Sequence, residues 1–324
     1  MAKVFVTGAT GFIGSHFVSM LLERKHNVHI IARQSSHTDF LPDGISVHRC
    51  SLLDPSPLRK HLIDADYFVH IAGLTKSRRK KDFYDINGES VRVWMNAVKE
   101  NSHRLKRFVL VSSQAAVRPS KQPISENAEP APITDYGRSK LLGEKYALEF
   151  MDYLPITIIR PPVVYGPRDK DVFFYFKLAS IGFLPFVGNP KRKFSAIYVK
   201  DLAEAIMLVM EHCAAEGEIF FVSDGDVHTW RSFALKVGDA VGGRKIKIRL
   251  PGAVLWLAAA IDETASFIVR KPALLSFQKV RELLRYWAMD SSKIMDKLGF
   301  EPKYDLSRGV KETAHWYREH GWIR

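Results

Sequence analysis

Lys3-Val4-Phe5-Val6-Thr7-Gly8-Ala9-Thr10-Gly11-Phe12-Ile13-Gly14 is the stretch on which the fold of this chain turns. A short apolar strand runs straight into glycines at positions 8, 11 and 14, and a helical pattern follows from Ser15 to Arg24. Strand, glycine turn and helix together make a phosphate cradle. Gly8 allows a tight turn, Gly11 lets the backbone approach a pyrophosphate, and Gly14 lets the helix pack closely on the strand. The helix N-terminus then presents free N–H groups to the anion.

The spacing Thr7-Gly8-x-x-Gly11-x-x-Gly14 resembles the short-chain dehydrogenase/reductase superfamily, and Gly11-Phe12-Ile13-Gly14 looks like its extended branch, the NAD-dependent epimerase/dehydratase superfamily. The resemblance counts Phe12 and Ile13 with the three glycines as cofactor-binding residues.

Around this stretch the composition is that of a soluble globular protein: 324 residues, 46% apolar and 26% charged. Cys50 and Cys213 fit no metal spacing, and with no signal-like N-terminus they lead us to expect a reducing, cytoplasmic setting. A net charge of +13 raises the question of nucleic acid, but the basic residues are scattered. The one dense run, Lys76-Ser77-Arg78-Arg79-Lys80-Lys81, contains no aromatic side chain to stack on bases, so we expect a solvated loop there, ahead of an anion or membrane-surface patch, and no nucleic-acid partner. Ala253 to Val269 is the most apolar stretch. Asp262, Glu263 and Thr264 interrupt it, which argues against a transmembrane segment and for a buried helix or a lip over an apolar substrate.

Val28-His29-Ile30-Ile31-Ala32 reads as a second strand ending at Arg33. An acidic residue at this position suits the adenosine ribose, whereas a basic one accommodates a 2′-phosphate, so the expected cofactor is NADP ahead of NAD. A third strand, Val47 to Leu52, brings Leu52 to the adenine in the family's arrangement. A fourth, Tyr67 to Gly73, ends in Ala72 and Gly73, small residues beside the ribose and pyrophosphate. Asp85-Ile86-Asn87 opens a helix through Val98. Asn87 matches the family's helix asparagine, which helps to hold the active-site lysine, and an N-cap explains the residue type nearly as well.

Arg107 to Val111 is a fifth strand, followed by Ser112-Ser113-Gln114; after an insertion, Tyr136-Gly137-Arg138-Ser139-Lys140 opens a helix to Phe150. Tyrosine and lysine four apart share one helical face, and an ammonium beside a phenol lowers its pKa. The phenol can then exchange a proton with a substrate oxygen. Ser113 would donate to that same oxygen. Ser-Ser followed by three residues and valine is the spacing of dihydroflavonol and cinnamoyl-CoA reductases, whereas many sugar-nucleotide epimerases put the hydroxyl where Gln114 stands.

The segment Arg160-Pro161-Pro162-Val163-Val164-Tyr165-Gly166-Pro167 also resembles the extended family, with Pro161 and Val163 flanking the nicotinamide. Sugar-nucleotide enzymes usually carry asparagine at the position of Val163, and valine cannot bond a substrate diphosphate. The C-terminus, from Met289 to Tyr317, resembles dihydroflavonol reductase-like and 3β-hydroxysteroid dehydrogenase-like members. Together these features imply an α/β fold with a doubly wound parallel (Rossmann) sheet formed by 1–165 plus 195–223. A smaller, mainly helical substrate lobe is expected from 166–194 plus 224–324. The function implied is hydride transfer between NADP(H) and a carbonyl or hydroxyl of a moderately apolar small molecule by Ser113, Tyr136 and Lys140. The alternatives are a nucleotide-sugar epimerase or dehydratase with retained NAD, and a catalytically silent cofactor-binding sensor. The resemblance also leads to a homodimer through the helices carrying Asn87 and Tyr136.

Overall fold

The computed structural model describes residues 1–324, all of the chain. Seven strands form the central sheet: β1 (Lys3–Thr7), β2 (Asn27–Ala32), β3 (Ser46–Arg49), β4 (Tyr67–His70), β5 (Arg107–Val111), β6 (Ile156–Arg160) and β7 (Ile219–Phe221). Every pairing is parallel, and the spatial order is β3-β2-β1-β4-β5-β6-β7. The chain therefore winds outward from β1, returns, and winds outward the other way from β4. That reversal opens a crevice at the carboxyl ends of β1 and β4.

Side chains alternate across the sheet. Val4 and Val6 pack on one face with Phe17 and Leu21 of the helix Phe12–Glu23 and with Leu202 and Ile206 of the helix Val199–Glu211. Phe5 turns to the other face, against Phe68, Phe108 and Trp94 of the helix Ser90–Asn101. With both faces covered, β5 and β6 are buried along their whole length, which explains their largely apolar, non-alternating sequences.

β3 ends at Arg49 and β4 at His70, short of the expected Leu52 and Gly73. The ladder runs one residue further, Cys50 N–H to Ala32 O and Ile71 N–H to Thr7 O, before both chains turn away. Leu52, Ala72 and Gly73 thus lie in the turns beyond the carboxyl edge of the sheet.

A second sheet runs in the order Val227–Thr229, Lys193–Tyr198, Trp287–Met289, Ser120–Ile124, with Val163–Tyr165 pairing on Lys193–Tyr198. Residues 195–198 therefore belong to this smaller sheet, and the chain returns to the central one only from Val199 onward. Around it the helices Phe173–Ser180, Trp230–Val241 and Leu306–Glu319 close on an aromatic core of Tyr165, Phe176, Phe194, Phe233 and Tyr317. The stretch 117–134 reads as an insertion because its strand, Ser120–Ile124, alternates little and finds its partner only at Trp287–Met289.

Candidate active site

Gly8 has φ +75°, in the left-handed region, and a Cβ there would lie 2.6 Å from Ala72 N. A Cβ on Gly14 would lie 2.2 Å from Gly8 O. Both positions are closed to any side chain, so the turn and the helix Phe12–Glu23 meet backbone to backbone. That helix has no side-chain cap at Gly11 and no acidic residue in its first turn, leaving its N–H groups and dipole open to an anion. The cradle fits a dinucleotide pyrophosphate. Phe12 and Ile13 form the first helical turn, Ala72 is buried against Gly8, and Gly73 is exposed beside it.

Behind the cradle, Thr7, His70 and Ser90 form a buried chain of polar contacts. Ala72 N–H donates to Thr7 Oγ1 at 3.2 Å; Thr7 Oγ1 and His70 Nδ1 are 3.1 Å apart; His70 Nε2 and Ser90 Oγ are also 3.1 Å apart. Ser90 donates its own proton to Ile86 O at 2.7 Å. Ser90 must then accept from His70 Nε2–H, which makes Nδ1 the acceptor of the Thr7 hydroxyl and fixes the neutral tautomer. Burial agrees, pushing the imidazole down to about 3.

At the end of β2, Arg33 is exposed and no acidic residue takes its place. Arg49, on neighbouring β3, donates to the carbonyls of Arg33, Gln34 and Ser36 at 3.0–3.2 Å and to Thr38 Oγ1. A guanidinium thus folds the backbone after β2 into a turn around itself. Leu52 is half-buried against the Phe5 face of the sheet and lies in the loop that follows β3.

Tyr136 and Lys140 stand on the helix Asp135–Glu149, whose N-cap Thr134 accepts from Gly137 N–H at 3.1 Å. Tyr136 is half-buried, and burial pushes its phenol up to about 12 against the opposing effect of the hydrogen bond with Ser113. Lys140 donates to Val111 O at 3.0 Å, and burial brings it down to about 8. Lys140 does not bring the phenol down as expected: burial sets the direction of its shift, and Tyr136 holds its proton at neutral pH.

Ser113 caps the short turn Gln114–Ala116 and is buried, while Gln114 spends its backbone N–H on Pro161 O at 3.0 Å. Pro161 is buried beside that turn. Val163 opens the short strand paired with Ala196.

Asn87 is not an N-cap. The helix begins at Lys80, before the expected Asp85, and passes through one π turn, Asp85–Glu89, with Asn87 inside it. Its Oδ1 accepts from Leu74 N–H at 2.8 Å, and its Nδ2 donates to Leu74 O and to Ser139 Oγ at 2.9–3.0 Å. A methyl group on Gly73 would lie 3.0 Å from Lys140 Nζ and 3.1 Å from Asn87 Oδ1, so these three meet at one point. Lys80 and Lys81 form the first helical turn, where solvated loop was expected.

Glu144, one turn beyond Lys140, is 1% exposed and binds Arg160 through two bonds, Nε at 2.9 Å and Nη2 at 2.7 Å, while also accepting from Ser112. This bidentate pair ties the Tyr136 helix to β6 and to the strand end carrying Ser113. The sequence signal was available: a glutamate four residues after Lys140 shares its inward face. His70 was legible in the same way, as a polar residue inside an apolar strand.

Tyr136 opens onto a cleft of about 430 Å³. Phe83, Phe267 and Leu274 give it apolar wall; Lys76, Arg79 and Lys279 give it a cationic rim. Phe176 and Phe186 are core, and Trp256 stacks on Phe277 outside the cleft. The helix Phe277–Leu283 closes over the Tyr136 helix. Thr134 donates to Glu282 at 2.6 Å, and Asp135 and Gln278 exchange two bonds of 2.6 and 2.8 Å.

The profile of the NAD dependent epimerase/dehydratase family matches residues 4–223. A ceramide reductase of Caulobacter vibrioides is 30% identical over 99% of this chain and 96% of its own. An Escherichia coli O157:H7 N-acetyl-α-D-glucosaminyl-diphospho-ditrans,octacis-undecaprenol 4-epimerase is 25% identical, over 97% of this chain and 95% of its own. Among solved structures, UDP-glucose 4-epimerase of Thermotoga maritima superposes with a TM-score of 0.80 at 24% identity, covering 98% and 99% of the two chains, a likeness of fold alone. The glycine cradle, the parallel sheet order and the family match over most of the chain converge: this protein is an enzyme of the NAD-dependent epimerase/dehydratase family.

Proposed function

We propose that this enzyme transfers hydride between NADP(H) and a carbonyl or hydroxyl carbon of a moderately apolar small molecule, working as a reductase. The observation that carries the reading is the placement of Tyr136: it lines the cleft beside Ser113, with Lys140 one helical turn behind it on the same helix. The bound nicotinamide would supply the hydride. Ser113 orients the carbonyl oxygen, and Tyr136 gives that oxygen its proton as the carbon is reduced. The Lys140 ammonium offsets the phenolate left behind. Gly8, Gly11 and Gly14, with the backbone of Phe12 and Ile13, would hold the pyrophosphate. Ala72, Gly73, Pro161 and Val163 would border ribose and nicotinamide, with Leu52 towards the adenine. Asn87, held by Leu74 and Ser139 next to Lys140, would help to position it.

NADP is favoured over NAD by Arg33, with Arg49 holding its turn in place. A mixed apolar and cationic cleft suits an amphipathic carbonyl compound with an acidic or polar head. Likeness to a ceramide reductase makes long-chain lipid ketones the first class to assay. Likeness to a 4-epimerase supports a second reading, an epimerase that recycles retained NAD, against which Val163 stands.

One experiment separates the two. Purified protein is checked for retained nucleotide and titrated with NADPH and NADH, and Tyr136→Phe is assayed beside it. Reversible binding with NADPH preferred, and turnover lost in Tyr136→Phe with cofactor affinity within severalfold, is the expected result. Retained NAD without exchange moves the assignment to the epimerase, and undiminished turnover in the variant removes Tyr136 from the chemistry.

A further inference from the structure

The helix Gly252–Val269 is the most apolar of the chain, yet Ala259 is its only buried residue. Val254, Leu257, Ile261 and Ile268 recur at helical spacing along one outward stripe, with exposures of 44, 64, 63 and 74%. Phe267 at 79% and Leu274 at 74% continue the patch. Monomeric soluble proteins rarely leave so much contiguous apolar surface in water.

Charge says what covers it. Between Arg244 and Arg285 the chain carries nine basic and three acidic side chains. Lys247 and Arg249 are exposed on the strand before the helix, and Arg270 and Lys271 at its end. The acidic residues face inward and are occupied: Asp262 accepts from Leu275 N–H and Glu263 from Phe277 N–H, each at 2.7 Å, while Glu282 accepts from Thr134. The helix itself carries no lysine or arginine, but basic residues flank both its ends, and an exposed apolar surface between basic segments suits the face of an anionic bilayer. At 18 residues the helix is about 27 Å long, but Asp262 and Glu263 near its middle hold it to the 275–277 loop, so it lies flat rather than crossing.

The same patch borders the catalytic cleft. Glu263, Ser266, Phe267, Ala273 and Leu274 line it, opposite Lys76, Arg78, Arg79 and Lys80. We propose that the protein docks on the surface of an anionic membrane through the helix Gly252–Val269 and its basic flanks, with the cleft mouth turned to the lipid. This surface is independent of the hydride-transfer reading, and its test requires no turnover.

The full chain is floated with vesicles of phosphatidylcholine alone and of phosphatidylcholine with 30% phosphatidylglycerol, a fraction of about the order at which electrostatic attraction becomes strong. Binding to the anionic vesicles should exceed that to the neutral ones about tenfold and fall with salt. Leu257→Glu, Ile261→Glu and Ile268→Glu together should abolish it while leaving melting temperature and dinucleotide affinity unchanged. Should that variant not fold, Arg270→Glu with Lys271→Glu should still weaken binding severalfold. The proposal is overturned if the protein stays unbound on anionic vesicles, or if the variants float like wild type. It also fails if the protein resists alkaline extraction as a spanning helix does, or sediments as a dimer that the triple variant separates.

Discussion

Replacing Glu144 by alanine strands the Arg160 guanidinium. The two side chains are 1% and 4% exposed, and the carboxylate supplies the partner of both Nε and Nη2 as well as the acceptor of Ser112 Oγ. Breaking one side of such a buried pair costs about 3–5 kcal/mol, because the remaining charge is left without compensation. At roughly 2–4 °C per kcal/mol, thermal unfolding should shift down by about 6–20 °C. The measurement is a melting curve for wild type, Glu144→Ala, Arg160→Met and Glu144→Leu/Arg160→Met. The double variant removes both charges and fills the space with apolar atoms, so it should recover most of the loss; buried pairs are often neutrally replaced in this way. A single variant within about 1 kcal/mol of wild type, or a double variant as unstable as the two losses added, would refute the reasoning.

Gly14→Ala should weaken NADPH binding more than tenfold, since its Cβ would sit 2.2 Å from Gly8 O; a titration matching wild type would show the turn to be yielding. Arg33→Asp should reverse the NADPH/NADH affinity ratio, and an unchanged ratio removes Arg33 from the 2′-phosphate. Acid should destabilise the fold through His70. Its folded pKa of about 3 lies below the ordinary 6.5, so the unfolded chain binds the proton first, and stability is lost as pH falls below 6.5. Between pH 6.5 and 4.5 this amounts to roughly 2.3 kcal/mol, with His29, brought down to about 4 by burial, adding to it. Imidazole resonances followed by NMR check the point; a His70 signal titrating near 6.5 would overturn it.

The parallel sheet was legible because both faces of its central strands are covered, which makes them mostly apolar, and because Gly8 and Gly14 each answer a steric demand that only glycine meets. The smaller sheet was not. Ser120–Ile124 and Trp287–Met289 are neighbours only after the 162 residues between them have folded, and neither alternates strongly enough to announce a partner. Tyr136, Lys140 and Ser113 could be placed from spacing, but the phenol's protonation state could not. It depends on how deeply the folded chain buries the phenol, a tertiary fact. Gly252–Val269 was readable as apolar but not as exposed, since periodicity does not say which face meets the core.

The π turn at Asp85–Glu89 has a bearing on how this chain can vary in length. A π turn carries one residue more than the regular helix it interrupts, and each residue rotates a helix by about 100°. Asn87 inside the turn faces Leu74 and Ser139, while Val91, Trp94, Met95 and Val98 after it face the sheet. Deleting one residue between Asp85 and Glu89 would regularise the helix but swing one of these two sets out of register. The irregularity is thus a splice between two phases, and single-residue deletions in this family's descendants of the chain should be tolerated in the loops at either end of the helix long before they are tolerated here.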